Sequence, residues 1–271
     1  MEQISFNKEK ELSVFWTEGR SKVEINAIQE SIKRAVGDIM ARTLSVKEGA
    51  AWSLKEQLSS EDGTLVSLFT KYFKEPPFSN ECEFDRWHRE TSKQVLAILE
   101  AKYEQVYYGK AQKILNMTFK NLYCTQFGAN DEYFKFCHMP FDSYTLEWAY
   151  RSVYPLYKDS SGNALTKGKT PSWSNLYSAP DQDIVDGKYT YEFLTARIRQ
   201  YFEEHQSSIT VLQGEFVIWK NIQLEMAADG FYSQLLANYD ENGKKAKLKE
   251  YRAKELTDKI TAIREFLALN G

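Results

Sequence analysis

Apolar positions recur at helical spacing along most of the chain. In SKVEINAIQESIKRAVGDIMARTL, the residues Val23, Ile28, Ile32, Ala35, Ile39 and Met40 fall near one stripe, which predicts an amphipathic helix. Shorter helices are predicted at AAWSLKEQL and TLVSLFTKYF, with the turn SSEDG between them. The paired prolines of KEPPFSNE stop the pattern, because proline removes a backbone donor and restricts the residue before it. FDRWHRETSKQVLAILEAKYEQVYY then reads as a long helix, with Gly109 as its C-cap or a kink. KAQKILNMTFKNLYCTQF follows, and Ile114, Leu115, Met117, Phe119, Leu122 and Tyr123 give it a wide apolar surface. GANDEYFKF reads as a loop, with a short hairpin expected near residues 128–140.

The helical pattern lapses over residues 155–188, a span rich in Gly, Ser, Pro and Asp. Loops that long in compact domains are usually functional or disordered. Its embedded Trp173, Leu176 and Tyr177 predict docking onto the body. Helices resume in YTYEFLTARIRQYFEEHQ and LQGEFVIWKNIQLEMAAD. In the last one, KAKLKEYRAKELTDKITAIREFLAL, the residues Leu256, Ile260, Ile263 and Leu267 form a packing seam, through which self-association is expected. There is no repeat of fixed period and no series of strands. The fold class is mainly α: a multi-helix globular bundle forming one unit over 1–271. Its expected lobes are 1–77 plus 189–271, and 78–188.

Composition narrows the function classes. Charged residues make up 27% and hydrophobic residues 42%, which fits a globular chain rather than a disordered one. The net charge of −3 excludes a global basic field, so any nucleic-acid site must be a local patch. No apolar run approaches the roughly 20 residues of a membrane span, and MEQISFNKEKEL lacks the regions of a secretion signal. Cys82, Cys124 and Cys137 read as reduced thiols of a cytoplasmic protein. None has the close spacing of a zinc site, so neither a metal nor a cofactor is expected. Aromatics reach 14%, which suits both a packed core and a base-stacking groove.

Three patterns carry candidate chemistry. RQYFEEH places Arg199 and His205 late in a helix and resembles the Arg–His motif of HEPN ribonucleases. That likeness implies RNA cleavage at a dimer interface, with histidine moving a proton and arginine stabilising phosphate charge. The C-terminal KKAKLKEYRAK is locally basic, through Lys244, Lys245, Lys247, Lys249, Arg252 and Lys254, and could meet phosphates or simply be a solvated helix face.

The third pattern joins YYGKAQKILNMTFKNLYC to CHMPFDSYTLEW. A turn with Gly109 and Lys110, then lysines on a helix, then Pro140-Phe141-Asp142 before another helix resembles the core of the helix–hairpin–helix DNA glycosylases, nearest their archaeal 8-oxoguanine branch. The match covers about residues 105–150. It has Gly109 alone where the family hairpin has two glycines, and it lacks the family's four-cysteine cluster. The resemblance implies DNA as partner, an all-α two-lobed fold, and a lysine that attacks the sugar C1′ as the base leaves. Both Lys113 and Lys120 lie in range for that role, with Asp142 assisting. It further implies Gly109, Lys110, His138, Trp148 and Trp173 as nucleic-acid-binding positions. Asp142 also suits a helix N-cap, which its nucleophile-assisting role would not exclude. A non-enzymatic helical assembly protein is the remaining alternative.

Overall fold

The computed structural model describes residues 3–15, 24–47, 54–232, 234 and 244–270. It is mainly helical. The first predicted stripe becomes helix α2 (Glu24–Thr43), preceded by α1 (Lys8–Phe15). Ile28, Ile32, Ala35 and Ile39 are buried as expected, whereas Met40 is exposed and Val23 lies outside the described residues. Two short elements follow, α3 (Leu54–Ser59) and α4 (Thr64–Lys74). Asn80 then caps α5 (Glu81–Lys102), its side chain accepting the Glu83 N–H.

The long helix ends earlier than its sequence pattern suggests. Tyr103 and Gln105 leave helical geometry, Gln105 with φ of 50°, and Tyr103–Glu104 pairs antiparallel with Ser45–Val46. Gly109 is therefore neither a C-cap nor a kink; it lies in the first turn of α6 (Tyr108–Tyr123). There, a Cβ would stand 1.9 Å from the Trp173 carbonyl oxygen, and the Gly109 N–H donates to the Leu176 carbonyl at 3.0 Å. Only glycine lets the long loop approach α6 this closely. Gly109→Ala is expected to cost about 1–3 kcal/mol through overpacking and to speed proteolytic nicking within 155–188. Wild-type cleavage rates in the variant would exclude this anchoring role.

The expected hairpin near 128–140 does not form. Two 3-10 turns, Gln126–Ala129 and Asp131–Phe134, occupy the segment instead, capped by Thr125 and Asn130 side chains. These local caps satisfy the backbone, and Phe134 and Cys137 enter the core rather than alternating across a ribbon. The hairpin seen in the later region is two residues per strand, Ile184–Val185 with Lys188–Tyr189, turning through Asp186 and Gly187 at positive φ. Otherwise 155–188 is irregular but docked. The Asp159 carboxylate accepts the Ser161 and Asn163 N–H groups and pairs with Lys169 at 3.1 Å, and Leu176 is fully buried.

Helix α7 (Ser143–Trp148) runs on into a π-turn, Ala149–Val153. Three more helices complete the chain: α8 (Tyr191–His205), α9 (Val211–Ala228) and α10 (Lys244–Asn270). Thr210 and Gln213 form a reciprocal capping box at the start of α9.

Two cores share α6. One is built by α2 to α6 with Phe134, Cys137, Leu212 and Phe216. In it Phe69, Tyr72, Trp87 and Phe119 pack edge to face or tilted, Phe69 and Phe119 with centroids 4.9 Å apart. Such pairs add about 0.5–1.5 kcal/mol each beyond their area burial. The other core comprises Tyr108, Met139, Phe141, α7, the long loop, α8 and the outer face of α9. The first core groups α5 and α6 with α2 to α4, and the second runs from Tyr108 through the long loop to α9. Long-range side-chain packing, invisible to local periodicity, makes that division.

The α10 seam also turns inward. Leu256, Ile260 and Ile263 are buried, the first two in a small cluster with Tyr232, Tyr144, Leu224 and Ala227. The expected self-association face is largely covered by this chain's own α9. No helix among the described residues is long and apolar enough to cross a membrane.

Candidate functional site

Helix α6 is the element that organises polar chemistry, because it is buried almost all round yet carries lysine, asparagine and glutamine. Spacing sorts these onto two faces. Lys113, Met117 and Lys120, at i, i+4 and i+7, look into a cleft of about 950 Å³. Gln112 and Asn116 look the other way, into a buried network.

In the cleft, Lys113 Nζ lies 3.0 Å from Asp142 Oδ2, with the two side chains only 9% and 16% exposed. The other Asp142 oxygen accepts the Tyr144 and Thr145 N–H groups, both at 2.9 Å, while Thr145 Oγ1 accepts the Asp142 N–H. Asp142 is therefore both the N-cap of α7 and the partner of a lysine. Burial acts to raise its carboxyl, but the Lys113 charge and the α7 N–H groups outweigh it and hold the group below its usual range.

A second pair sits beside the first. Lys120 Nζ is 2.6 Å from Glu215 Oε2, both side chains almost wholly buried, and the ammonium lies 5.0 Å from the Phe216 ring centroid. Burial pushes the Glu215 carboxyl up, against the opposing pull of Lys120. Two carboxylates in one cleft thus have environments that drive their protonation apart, the usual arrangement for dividing base and acid roles.

The walls are aromatic and the rim carries both charges, Glu30 and Asp38 beside Lys33, Arg34 and Lys55, with Glu30 paired to Lys33. Tyr144 and Trp219 meet edge to face with centroids 6.2 Å apart, and Lys259 Nζ lies within 5 Å of both ring centroids. Trp173 closes another side. Arg34 and Lys55 line the mouth, and their charged ends make no hydrogen bond or ion pair among the described residues. Cation–π contacts orient Lys259, and unpaired rim cations favour an anionic ligand.

The remaining expected nucleic-acid positions lie elsewhere, Trp173 excepted. Gly109 is packed under the long loop. Lys110 is buried and its amine donates to the Gln105 carbonyl at 2.9 Å. Trp148 belongs to the second core, against Tyr201 and Phe202. His138 belongs to the network on the far face of α6.

That network runs from charge to charge-neutral groups. Arg199 grips Asp85 through two 2.7 Å bonds and also donates to the Phe136 carbonyl. Those acceptors take both hydrogens of the Arg199 NH2 group, so His138 Nε2 donates its own proton to Asp85, at 2.8 Å. The free Nδ1 then accepts from the Tyr191 hydroxyl at 2.7 Å. Asn116 donates to Tyr191 and accepts from His88 Nε2. Burial, then the Arg199 charge, push His138 down to about 4. Burial likewise lowers His88.

Arg199 is therefore committed to Asp85 and the Phe136 carbonyl, while His205 lies beside Glu204 and the Tyr201 ring. The chain does not bring Arg199 and His205 together. Of the basic C-terminal run, the side chains of Lys244, Lys245 and Lys247 lie outside the described residues, and Arg252 pairs with Glu255. Cys82, Cys124 and Cys137 are unpaired thiols, and no three potential ligands cluster as a metal site among the described residues.

Sequence reasoning missed Glu215, Trp219 and Arg34 in the cleft and Asp85 in the network. Glu215 stands in the apolar run GEFVIW, where a lone acid marks either a helix surface or a buried partner. The cleft and fold define an all-α protein with a lysine–carboxylate site between its helices. Comparison with protein-family models, curated proteins and solved structures finds no match for this chain.

Proposed function

We propose that the cleft processes nucleic acid, as a DNA glycosylase/lyase acting on a modified base. The reading is supported chiefly by one observation: the Lys113 amine stands 3.0 Å from the Asp142 carboxylate in an aromatic-walled cleft that Arg34 and Lys55 also line. Each part has a task in cleaving an N-glycosidic bond. The aromatic walls of Trp173, Tyr144 and Trp219 offer π-faces to a flipped base. The rim residues Arg34 and Lys55 meet backbone phosphates.

Breaking the C1′–N bond leaves positive charge on the sugar, which the ionised Asp142 stabilises. Lys113 gives a proton to Asp142, the acceptor within reach, and its nitrogen bonds to C1′. The departing base needs a proton, which solvent entering the cleft supplies; Glu215 stays buried as the partner of Lys120. Asp142 as N-cap aids this role, because the α7 N–H groups fix the carboxylate in place.

Borohydride trapping on duplexes carrying abasic sites and a panel of modified bases tests the reading, with base release followed in parallel. Wild-type protein is expected to give a covalent adduct that Lys113→Gln abolishes. Asp142→Asn retains a good helix cap but loses the charge, and base release is expected to fall by about a hundredfold or more. Neither adduct nor released base across the panel would sink the proposal.

A further inference from the structure

Helix α10 reaches into the Lys113 cleft through Lys259. The neighbouring seam residues Leu256 and Ile260 are buried in a small cluster against which Tyr144 also packs. That anchoring brings Lys259 over the cleft, which Tyr144 lines too. Tyr144 and Trp219 stand at 84° to each other and form a corner. The Lys259 ammonium rests in it, 4.8 Å from the Tyr144 centroid and 4.5 Å from the Trp219 centroid. All three residues are half-buried and line the cleft, so a ligand entering it meets them.

The charges around this corner are unequal. Three acids of the lining each meet a lysine of the same lining: Asp142 with Lys113 at 3.0 Å, Glu215 with Lys120 at 2.6 Å, and Glu30 with Lys33 at 2.8 Å. Arg34, Lys55 and Lys259 line the cleft as well, and among the described residues only Asp38 joins them from the acidic side. A ring face attracts a cation without consuming its three ammonium hydrogens, so Lys259 can rest on Tyr144 and Trp219 and still donate to a ligand. Stacking surface and a donor cation thus stand side by side.

We propose that the Tyr144–Trp219–Lys259 corner selects a planar ring that carries negative charge, with Lys259 as the residue that sets the preference. The ring stacks on the Trp219 indole. Lys259 shifts from the indole face to the charged edge of the ligand and donates to it, which is stronger than a neutral hydrogen bond. Arg34 and Lys55 add to the attraction from the rim. A cationic ring meets the reverse, because it must displace one ammonium and face two further cations. Within the excision reading, on which this one consequence rests, the base released is an anionic one rather than an N-alkylated, cationic one.

Nicotinate, nicotinamide and 1-methylnicotinamide share one ring and run from anion through neutral to cation. Calorimetry on the full chain is expected to rank their affinities in that order, with nicotinate about tenfold or more tighter than nicotinamide. Lys259→Gln should bring those two within about threefold of each other, whereas Lys259→Arg should keep the preference. Trp219→Leu should weaken both ligands and leave their ratio, because it removes the stacking surface and not the charge.

The inference is overturned if no member of the series binds at about 10 mM, if nicotinamide binds as tightly as nicotinate, or if Lys259→Gln keeps the wild-type preference. It is equally overturned if Trp219→Leu binds as wild type does, which would place the ligand outside the corner. These measurements read binding alone. Failure of borohydride trapping with the nicotinate preference intact would remove the excision reading only, and a trapped adduct without that preference would remove this inference only.

Discussion

Replacing Glu215 with Ala is expected to destabilise the protein by about 3–5 kcal/mol. The reason is the cation left behind. Lys120 is 4% exposed at its side chain, reaches Glu215 at 2.6 Å, and lies between the Phe216 and Trp219 rings, which soften but do not replace a counter-charge. Removing one member of a buried ion pair leaves an uncompensated charge, which costs more than the pair contributes. Lys120→Met should cost less. Methionine refills most of the lysine stem, and Glu215, whose carboxyl burial already pushes up, can take a proton and become neutral. The double variant K120M/E215L should regain much of what Glu215→Ala loses. Urea denaturation of the three variants measures the ranking. A loss under about 1 kcal/mol for Glu215→Ala would mean that water reaches Lys120 freely.

Acidification should weaken the fold through the second polar network. An unfolded histidine takes up its proton near pH 6.5, whereas folded His138 resists until about 4. Between those values the unfolded chain binds more protons, so stability falls as the pH falls. The contribution is complete above 6.5 and lost by about 4, amounting to about 3 kcal/mol for His138. Buried His88 acts with the same sign. Asp85 and Asp142, both held low, lose their contributions at still lower pH. Glu215 works oppositely: its raised carboxyl favours the fold below its ordinary range, and that contribution declines as pH rises through its folded value. Urea midpoints between pH 7 and 4 check the balance, and His138→Gln should flatten the curve across that window. An unchanged slope in the variant would remove His138 as the cause.

Local signals made the helices legible. Spacing alone marks α2, α4, α6 and α8. Asn80, Asp142, Thr190 and Thr210 stand at helix starts, where their side chains accept free N–H groups. The candidate site was legible in part for the same local reason. Lys113 and Lys120 share a helix face by their spacing, and Asp142 follows a proline and an aromatic at a helix start. Their meeting was not legible, because 29 residues and two 3-10 turns separate Lys113 from Asp142.

The misses have one cause. The hairpin expected at 128–140 rested on the break between helices, but side-chain caps gave the backbone another way to satisfy its polar groups. Gly109 carried a turn-glycine signature, yet its small size serves the close passage of the long loop. Arg199 looked like one half of a motif with His205 and is instead joined to Asp85, 114 residues away.

By itself the sequence determined the fold class, the Asp142 cap position and the lysine face of α6, since these follow from periods and caps within a few residues. Only the tertiary structure decided that Asp142 meets Lys113 and Glu215 meets Lys120. It also decided that His138 turns away from the cleft. Burial makes each of those choices: a charged or polar group withdrawn from water must find a partner, and the partner is fixed by packing across the fold rather than by distance along the chain.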